Sequence, residues 1–284
     1  MFSRGETAIV MGNIQGWGNM SIGITSFGAA ITRQPASSAV DGLRAEDHGT
    51  PDVAQMLKDH ADYCAALSAT GATVITLPPL AGFPDAQFVE DTALCLPEGV
   101  IFMSPGAPSR RGEVAAIEAE IGHHFASTHH IEAPAFIEGG DILVTATEIL
   151  VGLSARTTDA GIAALTAITS PWGYNVRRVD TPADVLHFKT DCSLLDDRTI
   201  LTTRRLAASG CFDGYELVYT ADGEEAAANT IRFNDKVIMP AGFPKTEQLL
   251  SDAGYNVLLI NNSECEKIDG GMSCLSLRLA HGAD

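Results

Sequence analysis

The sequence predicts an α/β fold assembled from repeated strand–turn–strand–helix–strand units, and three observations carry that prediction. Short apolar runs pair across turns such as Pro97-Glu98-Gly99, Asp196-Asp197 and Asn234-Asp235, which reads as a series of hairpins. Amphipathic stretches follow the hairpins, and each leads into a further β-rich run. The whole pattern recurs at roughly fifty residues, the signature of a propeller or array in which each unit buries one face against its neighbour. An α/β sheet without symmetry is the plain alternative. Recurrence of the turn chemistry together with the periodicity favours the array.

Taken in order, residues 53–68 read as a helix leading to a strand at 73–77. The clearest unit then pairs 92–96 with 100–103 and continues into a helix at 113–121, with a weak β signal near Ile131. The next pairs 142–146 with 149–153. Thr157 or Thr158 is placed to cap a helix over 160–168, and a strand follows at 176–179. A third pairs 193–195 with 199–203 and reaches a strand at 216–219. The fourth pairs 230–233 with 236–239, then a helix near 246–253 and a strand at 257–260. Counting the weak passage, five helix-to-strand steps are expected.

Composition narrows the function classes. At 45% hydrophobic the chain can bury a substantial core, and its formal net charge of −18 sets nucleic acid and anionic membranes aside as partners while favouring a cation. No run of eighteen apolar residues exists to cross a membrane. Six cysteines are scattered without CxxC pairs, so they read as reduced thiols of a cytoplasmic protein. Residues 1–24, rich in Gly, Met and Asn, read as a flexible amino-terminal extension before a single catalytic domain over 25–284.

The chemistry-bearing residues fall between each helix-to-strand passage and its hairpin. These segments are 88–91 (Phe-Val-Glu-Asp), 138–141 (Glu-Gly-Gly-Asp), 187–191 (His-Phe-Lys-Thr-Asp), Asn229, and 269–274 (Asp-Gly-Gly-Met-Ser-Cys). Units set around an axis would bring all five to one end of it. Cys274 then has a proton-accepting neighbour in His187, which a thiol needs to become a nucleophile. Singly, each has a plain structural reading, as a buried small hydrophobe and a satisfied core histidine. Glu90, Asp91, Glu138 and Asp141 crowd carboxylates that repel one another unless a cation enters, which suits a planar guanidinium. Turn capping is the competing reading for Asp91 and Asp141. Arg110 and Arg156 follow successive hairpins at matching places and suit a carboxylate gripped through paired hydrogen bonds. No metal motif matches these spacings; the pairs His123-His124 and His129-His130 look more metal-like but read as a solvated loop.

Together these segments resemble the dimethylarginine dimethylaminohydrolases of the guanidino-group-modifying superfamily. The similarity runs from about Thr25 to the end and is carried by Phe83-Pro84-Asp85 with residues 88–91, by 105–111, 138–141, 186–189, 237–242 and 268–278. The resemblance implies a five-bladed α/β-propeller with pseudo-fivefold ββαβ repeats and hydrolysis of Nω-methylated arginines to citrulline without a cofactor or metal. It assigns Cys274 as nucleophile, His187 as general acid and base, and Glu138 as its supporting carboxylate. Glu90 and Asp91 match contacts to the guanidino end, Asp85 and the Leu43 carbonyl match binders of the α-amino group, and Arg110 and Arg156 match grips on the α-carboxylate. Ile268 and Asp269 flank the nucleophile loop, and residues 43–48 suit a lid. Thr230 and Arg232 depart from the types the resemblance leads one to expect. A homodimer is left open. The rivals are a relative acting on arginine or citrulline, and a non-catalytic guanidino-binding propeller.

Overall fold

The computed structural model describes residues 23–280, which form five three-stranded sheets. The first centres on β1 (Phe27–Arg33), which runs parallel to β2 (Thr73–Leu77) after helix α1 (Val53–Ser68). The next four share one plan, an antiparallel hairpin whose second strand also takes a parallel partner after a helix. They are β3 (Ala93–Leu96), β4 (Gly99–Phe102), α2 (Arg111–Ile121) and β5 (Thr128–His130); then β6 (Ile142–Val144), β7 (Ile149–Leu153), α3 (Asp159–Thr169) and β8 (Val176–Asp180). The fourth sheet holds β9 (Cys192–Leu194), β10 (Thr199–Thr202), a single turn α4 (Arg204–Ala207) and β11 (Glu216–Tyr219). The fifth holds β12 (Ile231–Phe233), β13 (Lys236–Pro240), α5 (Pro244–Asp252) and β14 (Val257–Ile260). After α6 (Ser263–Glu266), β15 (Leu277–Ala280) returns antiparallel to β1 and completes the first sheet.

Local sequence explains these boundaries. The Asp52 carboxylate accepts from the Ala54 and Gln55 amides to cap α1, and Thr158, one of the two expected caps, accepts from Gly161 at the start of α3. Pro244 opens α5, where its missing N–H costs nothing. Asn234 turns the β12–β13 hairpin with φ 55°, a left-handed conformation that asparagine tolerates.

The core is divided among the sheets in a regular way. Ile31 and Leu77 of the first sheet pack with Phe102, Ile117 and Ile121 of the second unit. Ile101 and Met103 join Ile149, Val151 and Leu165 of the third. Leu150 joins Ile200 and Leu206 of the fourth. Leu201 joins Val237, Met239 and Leu250 of the fifth. Phe233 and Ile238 of the fifth then meet Ala30, Met56, Tyr63 and Leu67 of the first. Each cluster therefore links two units successive in the chain, and the last links the fifth back to the first.

Two differences from the sequence reading stand out. Strand β1 was not anticipated, because its partners are contributed by β2 and by the far end of the chain rather than by a neighbouring hairpin. The fourth unit has one helical turn where a longer helix would match the pattern. Of the expected amino-terminal extension, residues 1–22 lie outside the described residues, whereas Ile24 packs against the cluster of the third and fourth sheets. Among the described residues, no helix is long and apolar enough to cross a membrane.

Candidate active site

Short 3-10 turns precede the hairpins and β15, at Val89–Thr92, Gly139–Asp141, Phe188–Thr190, Glu225–Ala228 and Ser273–Leu275. Buried side chains lock one turn to another. Asp91 Oδ1 accepts from the Gly140 amide at 2.8 Å, Asp141 Oδ1 from the Phe188 amide at 2.8 Å, and Asn229 Oδ1 from the Ser273 amide at 3.0 Å. Ser273 Oγ donates back to Glu90 Oε2 at 2.8 Å. A buried carboxylate or carboxamide is stable in such a place because backbone donors satisfy it. The turn-capping role considered for Asp91 and Asp141 is thus real.

This bracing leaves His187 and Cys274 lining one cavity of ≈ 30 Å³ with Leu43, Asp85, Asp91, Arg110, Arg156, Ile268 and Asp269. Nine of the eleven residues singled out in the sequence meet there. Glu138 sits directly behind, its Oε2 2.7 Å from His187 Nε2 and its Oε1 accepting from the Ala107 amide at 3.1 Å. Glu90 instead faces a second, larger cavity and pairs with both Lys189 and Arg278. Those two cations had no role in the sequence reading, which lacked any local signal for ion pairs spanning 99 and 188 residues.

The Cys274 thiol sits among groups whose protonation its neighbours set. Burial pushes the Cys274 thiol up to about 12, reinforced by the charges of Glu90 and Asp91, so the resting group is a protonated thiol. Burial alone would lower His187, but Asp91, Asp141 and Glu138 outweigh it and raise the imidazole to about 9. Glu138 is correspondingly held down to about 2, the His187 hydrogen bond and charge overcoming its burial. The sulfur lies within reach of two donors, the Gly271 amide at 3.4 Å and Asn229 Nδ2 at 3.8 Å. Asn229 was placed in the converging set by its position alone; its contact with sulfur went unread because a carboxamide carries no charge signal. Close approach explains two glycines: a Cβ on Gly140 would meet the His187 ring at 2.8 Å, and one on Gly271 would meet the Asn229 carboxamide at 2.1 Å.

Arg110 and Arg156 differ in freedom. Arg110 is 3% exposed and bonds to Asp91, Glu113 and the carbonyls of Asp85 and Phe88. Arg156 makes one long contact, 3.4 Å to Glu138 Oε2, and its side chain is 20% exposed. Over the cavity, the Leu43 amide donates to Asp85 Oδ1 at 2.9 Å and the Ala45 amide to Asp269 Oδ2 at 2.6 Å.

Among the described residues, Asp91, Glu138 and His187 are the one group whose ligand atoms lie close enough to hold a metal ion. All three are already engaged by Arg110, the Gly140 and Ala107 amides, or one another, so a metal would compete with these partners. The two histidine pairs at 123–124 and 129–130 do not gather into such a group.

Known proteins resemble this chain in sequence and in fold. The arginine deiminase family model matches residues 46–239. A dimethylarginine dimethylaminohydrolase from Pseudomonas aeruginosa is 38% identical over 255 residues, covering 89% of this chain and 99% of that one. The Streptomyces coelicolor protein of the same name is 31% identical over 88% of this chain and 96% of its own. Solved structures include a cysteine-to-serine variant of the Pseudomonas aeruginosa DDAH complexed with citrulline, with TM-score 0.86 and 89% of this chain covered. A histidine-to-glycine variant of a dimethylarginine dimethylaminohydrolase, as an adduct with S-methyl-L-thiocitrulline, superposes equally well. The arginine deiminase match ends at residue 239, before Cys274. By its identity to these relatives over most of its length, the chain belongs to the dimethylarginine dimethylaminohydrolase family.

Proposed function

We propose that the protein hydrolyses Nω-methylated arginines to citrulline and dimethylamine or methylamine, with Cys274 as nucleophile. The observation that carries this reading is a buried thiol sharing one cavity with an imidazole, itself hydrogen-bonded to Glu138, and with three carboxylates, Asp85, Asp91 and Asp269. A guanidinium entering beside Asp91 brings the positive charge that the thiol lacks. Its arrival lowers the cost of the thiolate, which is otherwise held protonated by burial, and the thiol proton passes to solvent as the guanidinium enters.

The thiolate sulfur bonds to the central guanidino carbon, and the bond from that carbon to the methylated nitrogen breaks. His187, charged in the resting site, gives its proton to the departing amine. The neutral imidazole then takes a proton from water as the water oxygen attacks the thiouronium carbon. Collapse breaks the carbon–sulfur bond as the hydroxyl proton of the adduct passes to the departing sulfur, which releases citrulline and restores the thiol. Glu138 keeps the imidazole oriented through the 2.7 Å hydrogen bond. Arg156, the freer of the two arginines, is the grip for the α-carboxylate; Arg110 chiefly holds Asp91 in place. Asp85 and the Leu43 backbone suit the α-amino group, and Ile268 and Asp269 close the cavity beside Cys274.

A five-bladed propeller is the arrangement these sites require, and the cyclic succession of five hydrophobic clusters supports it. Six free thiols suit a cytoplasmic setting. Citrulline release from asymmetric dimethylarginine, monomethylarginine and arginine tests the proposal. Turnover of the methylated compounds, little with arginine and none in Cys274→Ala is expected. Faster release from arginine moves the reading to a deiminase, and binding without release moves it to a binding protein.

A further inference from the structure

The second cavity measures ≈ 1030 Å³ and shares no lining residue with the cavity at Cys274. Neighbouring residues of the same turns serve the two: Asp91 and Glu90, Cys274 and Ser273, His187 and Lys189. In size it matches the cavities that take small molecules. Its charge runs against that of the molecule. Lys189, Arg232 and Arg278 line it against only two carboxylates, Glu90 and Glu98, in a chain of net charge −18.

Two polar groups there have unused hydrogen-bonding capacity. Ser193 is 5% exposed, lines the cavity, and its Oγ has no partner among the described residues, although buried hydroxyls are normally satisfied. Lys189 and Arg278 both converge on one oxygen of one carboxylate, Glu90 Oε1. A single carboxylate cannot neutralise two cations. Lys189 Nζ, with three hydrogens, makes this one hydrogen bond among the described residues. Thr230 and Arg232, the two residues out of keeping with the resemblance, line the same cavity.

We propose that this second cavity binds a small oxyanion, a carboxylate or a phosphate, held by Lys189, Arg278 and the Ser193 hydroxyl with Arg232 at its wall. Ammonium and guanidinium donors bind such oxygens through charge-assisted hydrogen bonds, and Ser193 adds the neutral donor that has no other use. The bound anion supplies the charge that Glu90 alone does not.

Calorimetric titration of the full chain with inorganic phosphate, and separately with acetate, tests this without reference to turnover. Saturable binding of either anion is expected. Ser193→Ala, which removes an unpartnered hydroxyl and leaves the fold unchanged, weakens it about tenfold, and Arg232→Gln weakens it further. Arg156→Ala, in the other cavity, leaves it unchanged. Absence of saturable binding overturns the proposal, as does binding that is insensitive to Ser193→Ala or that follows Arg156. Because no catalytic step is measured, failure of this site and failure of the hydrolase reading are separable.

Discussion

His187 and Glu138 work as one unit, each moved by the other across the 2.7 Å contact. The signs follow from the direction of each shift. His187 rises from 6.5 to about 9, so its contribution to stability is whole below 6.5 and disappears as pH climbs through about 9. Glu138 falls from 4.5 to about 2, so its contribution is whole above 4.5 and disappears as pH drops through about 2. The charged pair therefore operates fully between 4.5 and 6.5 and retains the acid form of the imidazole through neutrality. The expected consequence is a kcat/KM profile whose alkaline limb lies near pH 9. Glu138→Gln moves that limb to lower pH and lowers kcat by about 100-fold, a magnitude typical of lost acid–base positioning. A profile unchanged by Glu138→Gln would remove the imidazole from proton transfer.

At the scale of elements, Asp91, Asp141 and Asn229, within or directly after their 3-10 turns, each accept a hydrogen bond from the backbone of another turn. Asp141 is the fullest case: its carboxylate takes the Phe188 amide at 2.8 Å, Ser154 Oγ at 2.7 Å and Thr157 Oγ1 at 2.6 Å. Asp141→Ala leaves two buried donors and the half-buried Ser154 hydroxyl unpaired and is expected to cost about 3 kcal/mol. Chemical denaturation reads that cost, and a loss within 1 kcal/mol of zero would mean that water replaces the carboxylate. The hairpins, the helix α1 and the strands β2, β11 and β14 were legible in the sequence because local periodicity and turn residues define them. Strand β1 was not, since its pairing joins residues about 250 positions apart. The meeting of Cys274 with His187 was readable from the equivalent places of their segments. The diversion of Glu90 to Lys189 and Arg278, and the fastening of Arg110 to Asp91 and Glu113, depend on side-chain directions that no spacing encodes.

For the whole molecule, five hydrophobic clusters link the units, and neighbouring residues of the same turns line two cavities, one holding Cys274 and His187, the other with a cationic surplus. The net charge of −18 gives the surface a field that draws a cationic substrate inward. With a guanidinium substrate, kcat/KM is expected to fall as ionic strength rises from about 10 to 150 mM, where screening shortens the reach of that field from about 30 to 8 Å. A flat salt dependence in stopped-flow measurements would assign capture to the cavity alone. The central claim, attack by one particular sulfur, is tested most directly by mass spectrometry of the enzyme quenched during turnover of asymmetric dimethylarginine. The account predicts a single adduct with the mass of the substrate less dimethylamine, on the peptide carrying Cys274. Turnover with no adduct there, or an adduct on another of the six cysteines, would contradict it.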